Sequence, residues 1–587
     1  TIGGENQTLI NPHAFGSQQR LIMIGIIAVD AEKESAMEFF ELFKTPWEFY
    51  APGRNYDVII STLNNVPKVG QRLTILCSSE RDQFRNNEEI QIQSTLKSVT
   101  LKYADTEIPI YGNLLTFTGK GQPILEVMGE VAGLKINEVF NQKVLLGFNL
   151  FEEIHHLLSV GQPKENALIP TIDVHISLIR NLIVEAGIPL IEIPPMPPGY
   201  DFMTCLTHDI DFAGIRKHKL DHTMFGFVYR ASIGSLARCF KGRLPLRKLL
   251  RNWSAVLRLP FVYLGVAKDF WLQVNSYVEI EKNLKSTFFF VPFKHKHGDH
   301  ILGNGSRKRA TKYDISDVEE IAKALRDNGF EIGIHGIDAW HDLEKALQER
   351  SRITEYLKGK EIGVRIHWLL FDSNSYRVLD EAGFSYDSTL GFNEAIGYRA
   401  GTLQVFKPFG VKRLLELPLH IQDTALFYPK RMDLSDTEAL ALCEKLIHNA
   451  KSYNGVLTIL WHDRSLGPER LWKEFYINLL GKIRENKVFF STASEIVNWF
   501  RKRRAVKFKE IKVDQDKISL FLDYVGNDDH SEKGPSLFIR VYYPKFQVSN
   551  NQNPSFIGSD HKDIILGNQR FLEIPLKAFN SQPEACS

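Results

Sequence analysis

The sequence predicts an α/β fold: a central (β/α) barrel, a small α/β domain before it and an all-β accessory domain after it. Strand-like and helix-like segments alternate over about residues 201–504, which is typical of parallel sheets. Polar residues follow several of these strands, at the edge where barrels carry their active sites. Helical patterns stop after the basic run 501–504, and β-rich segments follow.

The barrel prediction depends on eight strand-like segments and the helix-like segments between them. The strands are predicted at 203–208, 287–291, 331–335, 363–367, 384–386, 414–418, 456–461 and 488–490. The helices are predicted at 316–328, 342–357, 374–382, 435–451 and 469–485. Seven or eight βα units follow from this alternation.

The flanking parts have different patterns. Residues 1–140 mix strands near 20–30, 56–61, 72–77 and 98–103 with a helix near 32–43, which predicts a small α/β domain. Two helices, 143–159 and 171–187, form a linker region over 141–200 that ends in the proline-rich segment 193–199. Residues 505–587 predict a small sandwich-like domain. The sequence Gly119-Lys120-Gly121 is interpreted as a turn and not a phosphate loop.

Composition narrows the class of protein. A chain of 587 residues with 43% hydrophobic and 24% charged residues is typical of a globular protein with about three domains. No long apolar run or secretory signal is visible, so we expect a cytoplasmic location, free or peripheral at a membrane, although a chain that begins at Thr1 leaves an upstream segment open. A net charge of +2 favours no nucleic-acid partner. Scattered cysteines indicate a reducing compartment: Cys77, Cys205, Cys239, Cys443 and Cys586.

Two acidic residues follow the apolar strand 203–208 and suggest a hydrolytic metal site. Such a site needs about three protein ligands and nearby acid and base groups. Asp211 is predicted as an oxygen ligand and Asp209 as the base, with His335 and His341 supplying imidazole nitrogens.

Three further residues complete the predicted chemistry. Arg365 could pair with Asp209 and keep it ionised. His462 arrives on another strand and is predicted to protonate a leaving amine, while Asp423 could hold its imidazolium.

Each residue also has an ordinary structural interpretation. An isolated Asp-x-Asp is more often a turn or a helix cap, a histidine after a buried strand can be a core residue, and an arginine can form a structural ion pair. Five such residues at successive strand ends together favour the functional interpretation.

The ordered motifs resemble those of the polysaccharide deacetylases, carbohydrate esterase family 4, also called the NodB homology domain. The motifs are 207–211, 333–335 with His341, 365–368, Pro418 with Asp423, and 460–462. The resemblance covers about 200–500. It implies a distorted (β/α)7 barrel and a divalent metal, most often zinc with cobalt, nickel or manganese as alternatives, bound by one Asp and two His. It further implies hydrolysis of an N-acetyl group with Asp209 as base and His462 as acid.

Two departures from the family pattern concern the metal ligands. Ile210 separates the two aspartates, and the histidines of the second motif are six residues apart instead of four. Asp338 is therefore a rival to His341 as third ligand, and His341 is preferred because an imidazole matches the family's ligand set. Within the same motifs, Trp368, Trp461 and His208 are predicted to line the substrate pocket.

A basic, aromatic stretch at 214–268 follows the first barrel strand. It holds twelve Lys or Arg residues and the acid Asp221, and 246–258 has amphipathic helical spacing. Such a helix fits an anionic membrane surface or a lipid-linked glycan, and it equally fits a solvated helical lid. The histidine-rich loop 294–300 is interpreted as a mobile rim.

The predicted function is removal of an acetyl group from an N-acetylated polysaccharide or lipid-linked glycan by a metal-dependent hydrolase. Two alternatives stay open: hydrolysis of a small amide or ureide on the same barrel, and non-catalytic carbohydrate binding. A base and an acid beside the metal set argue against binding alone. The sequence leaves the sugar and the oligomeric state undetermined.

Overall fold

The computed structural model describes residues 23–67, 70–85, 89–137, 141–299, 306–357, 361–514, 517–525, 534–547, 555–567 and 569–575. The chain forms two compact units. The first comprises 1–160, 169–198 and 499–587, and the second comprises 161–168 and 199–498. Within these described ranges no helix has the length and hydrophobicity that a bilayer-spanning segment needs.

A sheet of nine strands forms most of the first unit. Its order is β2-β1-β3-β4-β9-β8-β6-β5-β7, parallel from β2 to β9 and antiparallel beyond. The strands of this unit's N-terminal part, including the separate β10, are β1 (Ile24–Ile27), β2 (Trp47–Phe49), β3 (Val58–Ser61), β4 (Leu73–Cys77), β5 (Ile90–Tyr103), β6 (Thr106–Gly119), β7 (Gln122–Val127), β8 (Glu130–Asn137), β9 (Gln142–Leu146) and β10 (Leu190–Glu192).

Three helices accompany this sheet: α1 (Lys33–Phe43), α2 (Leu150–Ser159) and α3 (Thr171–Glu185). Apolar spacing on α1 buries Phe39, Phe40 and Phe43. The side chain of Asn149 accepts hydrogen bonds from two backbone N–H groups and so caps α2. Lys120 and Gly121 connect β6 to β7, which confirms the predicted turn.

The second unit is built on a parallel sheet that the alternation of segments had predicted. Its order is β16-β15-β14-β13-β12-β11-β18-β17, with β19 also paired to β11. Among the described residues no pairing joins β16 to β17, so a closed barrel of seven strands is not observed. The strands are β11 (Phe202–Ile210), β12 (Ser286–Phe290), β13 (Glu331–Gly336), β14 (Gly363–Ile366), β15 (Tyr386–Asp387), β16 (Leu415–Glu416), β17 (Ile421–Gln422), β18 (Val456–Leu460) and β19 (Val488–Phe490).

Helices connect these strands and cover the sheet. They are α4 (His222–Tyr229), α5 (Ser235–Phe240), α6 (Leu246–Tyr263), α7 (Val274–Ile280), α8 (Ser306–Arg309), α9 (Glu319–Asp327), α10 (Leu343–Leu357), α11 (Ser375–Glu381), α12 (Asp423–Phe427), α13 (Asp436–Tyr453) and α14 (Lys473–Arg484). A capping box between Ser435 and Glu438 begins α13. All nine residues of β11 are buried because β12 and β18 flank it on either side.

The C-terminal segment returns to the first unit. After α15 (Ala493–Ala505) come β20 (Val506–Val513), β21 (Lys517–Tyr524), β22 (Leu537–Gln547), β23 (Ser555–Leu566) and β24 (Phe571–Pro575). They form two antiparallel sheets, β20-β21-β24 and β10-β22-β23. The pairing of β10 with β22 attaches this segment to the first unit, so a boundary near 505 does not separate it from the N-terminal part. Cys77, Cys205, Cys239 and Cys443 are unpaired, while Cys586 and His300 lie outside the described residues.

Candidate metal centre and active site

Successive side chains of β11 point to opposite faces of the strand, and the two faces have different neighbours. Thr207 and Asp209 share one face, and both accept a hydrogen bond from Arg365, which lies on β14. His208 lies on the opposite face, against the helices. Asp211 follows the end of the strand, two residues beyond Asp209. The two aspartates therefore lie at the carboxyl edge of the parallel sheet, where such folds place their sites.

Asp211, His335 and His367 form a group that could hold a metal ion, and these three residues are called the metal group below. His335 Nε2 lies 3.2 Å from Asp211 Oδ1, and His367 Nδ1 lies 3.4 Å from the same oxygen. The two ring nitrogens lie 2.9 Å apart. Two ligands of a tetrahedral ion with bonds of about 2.0–2.1 Å are separated by about 3.3 Å, so the spacing fits such an ion.

The protonation of these side chains also fits a metal. His335 Nδ1 lies 3.0 Å from the carbonyl oxygen of Arg365, so a proton there leaves the lone pair of Nε2 facing the group. Burial lowers the pKa of His367 to about 4 against the opposing attraction of Asp211. Although burial raises it, the neighbouring histidines hold the pKa of Asp211 well below its usual range. Asp211 Oδ1 is buried without a hydrogen-bond partner, as expected of an atom that a cation would satisfy.

The structure brings His367, and not the predicted His341, beside Asp211 and His335. His341 Nε2 lies 3.2 Å from Asp338 Oδ1, and neither residue belongs to the group around Asp211. The reason lies in the loop after β13, where Glu349 on α10 accepts hydrogen bonds from the N–H groups of Ile337 and Asp338 at 2.9 and 2.7 Å. That carboxylate holds the loop on α10, so the loop does not bring His341 to His335.

A strained turn follows His367. Trp368 and Leu369 adopt left-handed backbone conformations with φ of 68° and 53°. Such conformations cost roughly 1–2 kcal/mol per non-glycine residue and persist where packing compensates. Leu369 packs with Leu419 and Leu460 in a small buried cluster, which provides that packing. The turn leaves Trp368 40% exposed directly beside the metal group.

Arg365 holds Asp209 within a buried network. Its Nη1 donates to Asp209 Oδ1 at 3.1 Å and to Thr207 Oγ1 at 2.7 Å, and its other groups donate to Ser388. The guanidinium also lies 4.6 Å from the ring centroid of Phe289. Asp209 Oδ2 lies 3.8 Å from His335 Nε2, so this oxygen faces the metal group. The predicted contact between Arg365 and Asp209 is thus present.

His462 approaches the same group from β18 and is held by Asp423. Its Nδ1 lies 2.6 Å from Asp423 Oδ1, and its Nε2 lies 3.9 Å from Asp211 Oδ2. Burial lowers the pKa of His462, but Asp423 and the aspartates of β11 outweigh burial and raise the pKa to about 9. The contact predicted between Asp423 and His462 is present, and it leaves one imidazole nitrogen facing the metal group.

The three residues predicted for the substrate pocket lie in different places. His208 is fully buried, with Nδ1 2.9 Å from the carbonyl oxygen of Trp461 and Nε2 2.9 Å from Glu281 Oε1. Trp461 is also fully buried and stacks on Phe475 and Tyr476. Both pack between the sheet and its helices and not at an open face. Trp368 alone of the three is accessible at the site.

Several supporting residues were not singled out by the sequence analysis. Asp463 accepts hydrogen bonds from the backbone N–H groups of Phe212 and Ala213, both at 2.9 Å, and so fixes the chain just after Asp211. Ser465 donates to Asp423, and Arg470 donates to Ser465 at 2.8 Å. His367 itself had a sequence signal, because it ends the predicted strand 363–367, two positions after Arg365. The others come from loops whose path the sequence pattern does not specify.

Comparisons with known proteins return solved structures at low sequence identity. No family model and no curated protein matches the chain. Agd3, a carbohydrate deacetylase, is 9% identical, covering 95% of this chain and 100% of its own, with a TM-score of 0.35. A probable polysaccharide deacetylase from Pseudomonas aeruginosa is 14% identical over 52% of this chain and 94% of its own (TM-score 0.34). The Puue allantoinase is 13% identical over 52% and 93% (TM-score 0.31).

Proposed function

We propose that the chain is a metal-dependent hydrolase that removes acetyl groups from an N-acetylated glycan. One observation carries this proposal: a ligand group of Asp211, His335 and His367 with an Arg-paired carboxylate on one side and a carboxylate-paired imidazole on the other. Hydrolysis of an amide needs these parts, namely an electrophilic centre, a base for water and an acid for the leaving nitrogen.

The metal is proposed to be zinc, with cobalt, nickel or manganese as alternatives, because a mixed set of nitrogen and oxygen ligands suits these ions. Held by Asp211, His335 and His367, a divalent cation would polarise the acyl carbonyl and lower the pKa of a water molecule.

Asp209 is proposed to be the general base. Its Oδ1 is bound to Arg365, so Oδ2 is the oxygen that takes the proton of the attacking water. Because Arg365 is fully buried and held by Thr207 and Ser388, it also fixes the direction in which Asp209 points.

His462 is proposed to be the general acid. Asp423 accepts a hydrogen bond from His462 Nδ1 and stabilises the imidazolium. His462 Nε2 is therefore the atom that donates a proton to the leaving amine. Asp423 is itself held by the backbone N–H of His462 and by the hydroxyl of Ser465. A site for carbohydrate binding alone would need neither this pair nor the pair of Arg365 with Asp209.

Trp368 is proposed to contact the glycan. Its indole is accessible beside His367, and an aromatic face supplies apolar contact to a sugar ring while the hydroxyls remain in water. The more specific proposal is that the substrate is an N-acetylated glycan linked to a lipid.

Metal content tests the ligand set with a matched pair of histidine variants. We expect His367→Ala to lose the one equivalent of metal that the native protein binds, while His341→Ala retains it. Asp211→Ala should behave like His367→Ala. Full metal retention by His367→Ala, or its loss from His341→Ala alone, would contradict the assignment.

Acetate release tests the reaction on N-acetylated oligosaccharides and lipid-linked glycans, and substrate consumption tests it on small cyclic amides or ureides. We expect release from at least one N-acetylated glycan, and Asp209→Asn should abolish it while the metal stays bound. Turnover of the small amides with none of the glycans would favour the alternative hydrolase. A metal-loaded protein that releases nothing from any glycan would refute the deacetylase proposal.

A further inference from the structure

The insertion after β11 carries a large share of the exposed apolar side chains. Of the twenty-four exposed large hydrophobic residues among those described, twelve lie between 220 and 266. They are Leu220, Phe225, Tyr229, Ile233, Phe240, Leu246, Leu250, Trp253, Leu257, Phe261, Leu264 and Val266. Scattered apolar residues need no explanation, but such a concentration on one segment marks an interaction surface.

On α6 the exposed apolar residues form a stripe. At 100° per residue, Leu246, Leu250, Trp253, Leu257 and Phe261 fall within a sector of about 80°. A second set of residues on the opposite side of α6 is buried: Leu249, Asn252, Ala255, Leu259 and Val262. The helix thus has one apolar face packed into the protein and another apolar face in solvent.

A second stripe lies on the helical segment 222–234, which comprises α4 and the turn that follows it. Phe225, Tyr229 and Ile233 recur every four residues and are each 59% exposed. The two stripes meet where Trp253 Nε1 donates to the carbonyl oxygen of Ser232 at 3.4 Å, beside Ile233. Together they form one surface, the apolar surface of the insertion.

The unpaired charges of the insertion are positive. Among the described residues, five basic side chains make no ion pair or hydrogen bond: Lys219, Arg238, Lys241, Arg258 and Lys268. Others are paired with acids of the same unit, as Arg247 and Arg251 are with Glu474. The acid of the insertion, Asp221, is turned inward, where it caps α4 and contacts His218.

We infer that this surface docks the protein on an anionic lipid bilayer. The apolar stripes would enter the boundary between headgroups and acyl chains, and the unpaired cations would lie among the headgroups. Exposed aromatic residues such as Trp253 and Tyr229 suit that depth because each has an apolar ring and a polar N–H or O–H group. A protein partner or a second copy would not by itself require the unpaired positive charge.

The surface is connected directly to the proposed active site. The insertion begins three residues after Asp211. Between them lies Phe212, and the guanidinium of Arg464 lies 4.1 Å from the centroid of the Phe212 ring. Bilayer docking would hold the carboxyl edge of the sheet near the membrane. Docking does not depend on catalysis, so vesicle binding and acetate release can fail independently.

The test is sedimentation of the full chain with vesicles of phosphatidylcholine alone or with 30% phosphatidylglycerol. We expect binding to the anionic vesicles. The variant Leu250→Asp/Leu257→Asp should weaken this binding at least tenfold. Its matched control, Leu347→Asp/Ile477→Asp, places the same charges on exposed residues of α10 and α14 and should bind within twofold of the native protein.

Charge removal gives a second measurement. Each cation near an anionic membrane contributes about 1 kcal/mol, or about fivefold, so Lys241→Gln/Arg258→Gln should weaken binding about 25-fold. Failure of the native protein to bind anionic vesicles, or equal binding by the stripe variant, would overturn the inference. Dimers that dissociate in the stripe variant, without lipid binding, would assign the surface to a second copy and also overturn it.

Discussion

Two buried pairs of histidine and carboxylate in the same unit differ in what the second imidazole nitrogen contacts. In His462–Asp423, Nδ1 is held at 2.6 Å and Nε2 faces Asp211 at 3.9 Å. In His208–Glu281, each ring nitrogen lies 2.9 Å from an oxygen atom, and Tyr277 and Tyr476 pack on the ring. The same two functional groups can therefore support chemistry or packing. The two pairs differ in the face of the sheet that they occupy and in the distance from the second imidazole nitrogen to an oxygen atom, 3.9 Å for His462 and 2.9 Å for His208.

The largest expected effect concerns the pair at the metal group. His462→Gln removes the proposed acid, and loss of a general acid typically lowers turnover about 10²–10⁴-fold. Steady-state acetate release measures this, with metal content as the control that the ligand group is intact. Turnover within threefold of the native protein would contradict the proposed role and make the two pairs equivalent.

The second prediction concerns the pair behind the sheet. His208→Ala leaves buried Glu281 with only the hydroxyl of Tyr476 as a partner, and breaking a buried pair typically costs about 3–5 kcal/mol. We expect this loss in the free energy of unfolding, measured by urea denaturation. Specific activity of the folded fraction should stay within threefold. A large loss of turnover with unchanged stability would contradict the structural role assigned to His208 and Glu281.

The third prediction uses the pH dependence of stability in metal-free protein. The pKa of His462 is raised to about 9 from 6.5, so the folded state binds the proton more tightly than the unfolded chain does. The resulting stabilisation is complete below pH 6.5 and is lost as the pH rises through about 9, a decline on the order of 3 kcal/mol. Urea denaturation from pH 6 to 10 measures it. Asp423→Asn should flatten the decline, and an equally steep decline in that variant would refute the stated cause.

The smallest expected effect is Tyr476→Phe. The hydroxyl of Tyr476 donates to Glu281 Oε1 at 2.6 Å. Removing a hydrogen bond to a charged group costs about 1.5–3 kcal/mol, with no expected change in turnover. Thermal unfolding and acetate release measure the two quantities. A change in turnover would show that the cluster behind the sheet influences the site.

The parts of the site that lie on strands followed from the sequence, and the parts that depend on loops did not. Arg365 reaches Asp209 because both occupy inward positions of parallel strands, a relation that the period of two makes predictable. His341 was preferred for its residue type, but the hydrogen bonds of Glu349 decide where its loop goes. The left-handed turn at Trp368 depends on tertiary packing that no local pattern records.

At the level of the fold, the alternating segments predicted the parallel strands of the second unit but not where the sheet stays open. The two-residue strands Tyr386–Asp387 and Leu415–Glu416 are defined only by their pairing with neighbouring strands. The C-terminal β-rich segment was predicted to be β, yet its pairing with β10 links residues about 350 positions apart. Contacts of that range leave no local signal in a single sequence.

The order of strands around β11 also affects how the protein is made. One neighbour, β12, follows within the next 80 residues, but the other, β18, begins only at residue 456. At about 5–20 residues per second, a ribosome needs roughly 12–50 seconds to reach it. During that interval the strand that bears Asp209 has an unpaired edge, which is a template for wrong pairing. We therefore expect the nascent chain to be prone to wrong strand pairing at this edge until β18 has been made.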